Sequence, residues 1–82
     1  MGLPMAVKAH GAGNLSLAAT HYKRAIEQKQ FKPELFQNYG ALLRATGALD
    51  ESKEMYLQGV DMFPVHLGIH RNYANLLREK GE

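Results

Sequence analysis

Shifted against itself by 34 residues, the chain falls onto itself in two separate segments, and few folds satisfy that constraint. Residues 38–47 land on residues 72–81 with six of the ten positions identical: Asn, Tyr, Leu, Leu, Arg and Gly. Gly40 against Ala74 keeps a small residue. The same shift pairs Leu15 with Leu49, Ala18 with Ser52, Tyr22 with Tyr56, Ala25 with Gly59 and Ile26 with Val60. A period of this length marks a supersecondary unit that cannot bury its apolar face alone and stacks on copies of itself.

Each period reads as two helices. Leu35, Phe36, Tyr39, Leu42 and Leu43 recur at three- and four-residue steps, predicting an amphipathic helix of about 14 residues. Pro33 and Glu34 suit its start, and Gly47 can take the left-handed conformation that closes it. Asp50 and Glu51 then open a second helix, which turns Met55, Tyr56, Val60 and Phe63 to one side and stops at Pro64. Upstream, a helix over residues 14–29 carries Leu17, Ala18, Tyr22, Ala25 and Ile26, preceded by a weaker one over residues 5–11. A last helix covers residues 68–80. The expectation is an all-α chain of five antiparallel helices with no strand, joined by short loops.

Composition excludes several functions. The chain has 82 residues, about the length at which one core begins to sustain itself. It is 45% hydrophobic and 22% charged, too apolar for disorder. Without cysteine there is no disulfide, thiol nucleophile or Cys-ligated zinc. A net charge of +2 lacks the clustered excess of a duplex binder, so nucleic acid is not an expected partner. No apolar run approaches the roughly 20 residues of a membrane span. The start lacks the basic and apolar regions of a signal peptide, and Ala6 stands where a myristoylation motif wants Ser or Thr. Asn14-Leu15-Ser16 fits a glycosylation sequon with nothing else arguing for secretion. The expected compartment is cytoplasmic.

No catalytic constellation emerges. His66 and His70 have the spacing of two ligands on one helical turn, but no third ligand lies nearby in sequence. The Gly11-Ala12-Gly13-Asn14 stretch lacks the Lys-Ser/Thr of a phosphate loop. Ser16 and Ser52 have no phased His and acid, and Asp50-Glu51 is explained as a helix start. Tyr22, Tyr39, Tyr56, Tyr73 and Met55 fall on apolar stripes and read as core. The chain is therefore expected to be no enzyme and to need no metal or cofactor.

Residues 33–66 resemble one full tetratricopeptide repeat. Phe36 stands at that family's large aromatic, Gly40 at its small residue where two helices cross, and Gly47 at its turn glycine. Ser52, Tyr56 and Gly59 fill the second-helix positions, and Pro64 the closing proline. Residues 67–82 resemble the first helix of a further repeat, with Ala74 and Gly81 in place and His70 at the aromatic site. Residues 1–32 resemble a degenerate repeat: Ala6, Gly13, Ala18, Tyr22 and Ala25 fit, with Gly2 at the aromatic site. The resemblance covers nearly the whole chain and implies a single array, residues 1–82, wound as a right-handed solenoid of helix pairs.

It also implies a function. The first helices of such repeats line a concave groove that holds ligand peptides, and the matching positions here are Gln37, Asn38, Ala41, Arg44 and Ala45, then Arg71, Asn72, Asn75, Arg78 and Glu79. The offset duplicates two of them, Asn38 with Asn72 and Arg44 with Arg78. Asn amides can pair with an extended backbone, and guanidinium groups suit carboxylates or phosphates. The expected partner is thus an extended peptide, acidic or phosphorylated. Leu3, Pro4 and Val7 stand where the family's chaperone-tail clamp would need polar residues, which argues against that ligand. Two alternatives remain: a recruiting array cut from a larger enzyme such as a glycosyltransferase, or a homodimer formed through the uncapped last helix, residues 67–82.

Overall fold

Several helix ends carry a residue that supplies what the terminus lacks. The computed structural model describes residues 2–81, so Met1 and Glu82 of the expected array lie outside the described residues. Among these the chain forms five helices and no strand: α1 (Gly2–Gly11), α2 (Leu15–Glu27), α3 (Pro33–Ala45), α4 (Leu49–Met62) and α5 (Leu67–Lys80). Asn14 caps α2, its side chain accepting from the Leu17 amide. Pro33 opens α3 with Glu34 in its first turn, and Asp50 and Glu51 lie in the first turn of α4. His66 caps α5 by accepting the Ile69 amide at 3.3 Å, so this imidazole is a helix cap. His70 donates from Nε2 to the Pro64 carbonyl at 2.6 Å.

Three turn glycines one period apart, Gly13, Gly47 and Gly81, have φ of 81°, 86° and 80°. This left-handed conformation costs glycine little and other residues more. The connections after α2 and α4 differ. Lys29 takes φ 56° and ends α2 two residues earlier than the apolar periodicity suggests. At the matching position Phe63 precedes Pro64, whose ring excludes helical backbone from the residue before it. Phe63 therefore leaves the helical conformation, with φ −130° and ψ 68°, and sits just past the end of α4. The first helix starts at Gly2, three residues before the periodicity predicts. Pro4 is tolerated in a first turn, where amides have no intrahelical partner anyway, and the Leu3 amide donates to Gln30 Oε1 at 3.1 Å.

The helices pack as two hairpins, α1 with α2 and α3 with α4, and α5 lies against both α4 and α3. Small residues set the close crossings. The Tyr56 ring lies directly over Gly40, where a Cβ would collide with it. A Cβ on Gly59 would come 2.7 Å from the Phe36 Cβ, and one on Gly2 would come 2.8 Å from the His21 carbonyl oxygen. Ser52, fully buried, donates from Oγ to the Gly40 carbonyl at 2.7 Å and ties α4 to α3. Tyr22 stacks on Tyr39 with centroids 5.3 Å apart, and one period later Tyr56 meets Tyr73 at 6.4 Å. Tyr22, Tyr56, Phe36 and Leu35 are fully buried. Leu17 is exposed rather than on the apolar face of α2.

Gly40→Ala should destabilise the fold by up to about 2 kcal/mol, because an overpacking cost of about 1–3 kcal/mol against Tyr56 outweighs the roughly 1 kcal/mol gained in helix propensity. Gly11→Ala, where nothing lies within 4 Å of the added Cβ, should be neutral or stabilise by up to about 1 kcal/mol. Urea unfolding of the two variants checks both. Burial also holds the Tyr22 phenol up at about 12 and raises those of Tyr39 and Tyr56. A pKa raised on folding contributes stability below the unfolded phenol value of about 10, and that stability is lost as the pH rises through the folded value. The urea midpoint should therefore fall steeply above about pH 10, the fall continuing to about 12 for Tyr22.

Candidate functional site

The residues that the sequence singles out for binding lie on α3 and α5, which pack side by side. Between them Ala41, Arg44, Ala45, Tyr56, Asn72 and Glu79 line an open cleft of about 390 Å³. Ala41 and Ala45 keep the α3 wall low. Arg44, in the last turn of α3, forms an ion pair through Nε with Glu79 Oε2. Both side chains are half-exposed, so this pair contributes about 0–1 kcal/mol.

Tyr56 closes the cleft from α4. The residue is fully buried, and its hydroxyl has no hydrogen-bond partner. Burial raises its pKa, and Ser52, Arg44 and Asn72, which lie towards the hydroxyl, oppose that rise. Neither Ser52 nor Asn72 makes a hydrogen bond of good geometry with it. One period earlier the matching hydroxyl is satisfied, since Tyr22 and His10 Nδ1 share a hydrogen bond of 2.8 Å. His10 occupies the register position of Arg44.

The other predicted residues distribute differently. Gln37 packs over the first turn of α5, its amide atoms filling the space in front of Gly68. Asn38 is half-buried on α3 and is not among the residues lining the cleft. Arg78 donates from Nη2 to Asn75 Oδ1, one turn earlier on the same helix, and Arg71 is exposed. The structure thus brings Arg44 and Asn72 together and leaves Gln37, Asn38, Arg71, Asn75 and Arg78 around them. Sequence reasoning placed Tyr56 wholly in the core and missed its hydroxyl. The register aligns His10 with Arg44, but which of them reaches its tyrosine depends on how the helices pack.

A second cleft, of about 270 Å³, lies between α2 and α4, walled by Ile26 and Met55 and floored by Tyr39 and Leu43. Its lining is chiefly carbon, and its charged groups, Lys23, Glu51 and Glu54, belong to exposed residues. Among the described residues no group of three or more His, Cys, Asp or Glu converges as for a metal ion, and no helix is long and apolar enough to cross a membrane. No family model, curated protein or solved structure matches the chain.

The two tyrosine hydroxyls should respond oppositely to removal. Tyr22→Phe loses the bond to His10 and should cost about 0.5–1.5 kcal/mol. Tyr56→Phe removes a buried hydroxyl that has no partner and should leave stability unchanged or higher. Thermal unfolding of both variants at one pH is the measurement.

Proposed function

We propose that this chain is a tetratricopeptide-like array, a right-handed solenoid of stacked helix pairs, that binds an extended acidic peptide along its α3 and α5 face without catalysing a reaction. The recurrence of one register supports the array. The turn glycines share one conformation in all three copies, and the Tyr22–Tyr39 contact returns as Tyr56–Tyr73. The observation that carries the binding reading is the open polar cleft in which Arg44 and Asn72 meet. A primary amide offers a backbone both a donor and an acceptor, and a guanidinium takes a carboxylate in a directed, charge-assisted contact. Asn38 extends the amide row along α3. Arg71 and Arg78 add exposed positive charge on α5. Such a module works in the cytoplasm by holding one protein against another.

Isothermal titration with a synthetic peptide of alternating Ser and Glu tests the reading. Wild type should bind it, and Arg44→Glu/Arg78→Glu should bind at least about tenfold more weakly, as expected for lost charge-assisted contacts. Asn38→Ala/Asn72→Ala should weaken binding by a smaller factor at unchanged net charge. Equal affinity for all three proteins removes the reading.

A further inference from the structure

We infer that the groove between α2 and α4 is an interface for a second copy of this chain, which docks face to face across a two-fold axis running along the groove and sets Lys23 of each copy against Glu51 and Glu54 of the other. The groove shares no residue with the cleft between α3 and α5, so the inference does not rest on the peptide-binding reading.

The groove exists because α2 and α4 both pack on α3 while their backbones stay apart. Tyr39 and Leu43 of α3 are therefore its floor, with Ile26 and Met55 on its walls. It runs on past Ala19 and Leu15 through a further space of about 290 Å³, which shares Lys23, Tyr39, Leu43 and Glu51 with the first. A continuous apolar strip of this kind gains free energy when a second surface takes it out of water.

Its charges identify the occupant. α2 carries Lys23 and Arg24 against Glu27, whereas α4 carries Asp50, Glu51, Glu54 and Asp61 against Lys53, so the two walls have opposite sign. Lys23, Glu51 and Glu54 are exposed, and among the described residues Lys23 pairs with neither glutamate. A two-fold axis along the groove exchanges the walls, laying α2 of each copy over α4 of the other, and every lysine then meets carboxylates. An axis across the groove would instead lay α2 on α2 and α4 on α4, like charge against like. Two-fold interfaces require a self-complementary surface, and here charge selects one of the two face-to-face arrangements. The 13 residues of α2 extend about 20 Å, and two helices side by side are at least about 20 Å wide, so each copy offers roughly 400 Å². An interface of that size is weak and exchanges readily. The dimer is accordingly transient, and it carries two α3–α5 clefts, one from each copy.

Sedimentation equilibrium of the full chain tests this at concentrations up to about 1 mM, where an association this weak populates the dimer. Wild type should rise from the monomer mass towards twice that mass. Lys23→Glu and Glu51→Lys/Glu54→Lys should each self-associate at least about tenfold more weakly, because like charges then face each other. An equimolar mixture of those two proteins should regain the wild-type association as a heterodimer, which a misfolded variant could not do. Lys32→Glu, the same charge change at an exposed position outside the groove, should behave as wild type. A wild-type monomer at every concentration overturns the inference. Dimers that persist in both charge-reversed proteins overturn it by placing association on another face, such as the last helix. Equal weakening in Lys23→Glu and Lys32→Glu overturns it because net charge alone then explains the effect. Charge-reversed proteins that stay monomeric when mixed overturn the pairing across the two-fold axis.

Discussion

A tyrosine with no accessible surface has to be enclosed from every direction, and one helix pair cannot enclose it. Tyr56 projects from α4 onto Gly40 of α3 and meets Tyr73 of α5 on its other side. Tyr22 does the same one period earlier, between α1 and the Tyr39 ring of α3. Burying one aromatic side chain stabilises by on the order of 1.5–3 kcal/mol, so much of what each pair gains depends on the helix that follows it. The smallest self-consistent unit is therefore three helices, two from one period and one from the next. This explains why each hairpin packs against the helix that follows it. Closure of a single hairpin would leave its central tyrosine half in water.

Close approach is achieved with different size patterns in the two pairs. In the second, the large residue is on the first helix and the small one on the second, and the Phe36 Cβ seats against Gly59. In the first pair both are small, and Gly2 meets the backbone of α2 at His21 and Ala25. Without an aromatic there, helix backbone itself fills the space, and α1 runs back to Gly2 instead of beginning after Pro4. The Tyr22–Tyr39 rings lie nearly parallel at 23°, whereas Tyr56 and Tyr73 meet at 49°. The same tyrosine thus sits differently at its two junctions, and its hydroxyl finds different company at each.

The count and order of helices were legible because the period, the caps and the prolines all point to the same boundaries. What was illegible involved information that no single helix carries. The start of α1 was hidden because its signal is a missing side chain at Gly2, which weakens the apolar pattern even as it permits the tightest contact. Leu17 looked apolar within α2, yet its partner in register is Glu51, and both face solvent. At the candidate site, the location of Arg44 and Asn72 on adjoining helices followed from the offset. The pairing of Arg44 with Glu79 did not, because it depends on how near α5 comes to α3. Hydrophobic periodicity places a tyrosine ring and is silent about its oxygen, so the state of the Tyr56 hydroxyl emerges only when it is set beside Tyr22.

One register position shows how the same place on successive helices can take different partners without any change of fold. His10, Arg44 and Arg78 succeed one another at a constant interval on successive first helices. His10 turns inward and bonds its own pair's tyrosine. Arg44 crosses to the next first helix and takes Glu79. Arg78 folds back along its own helix onto Asn75. The same register position thus takes a tyrosine hydroxyl, a carboxylate or an amide oxygen as its partner in turn.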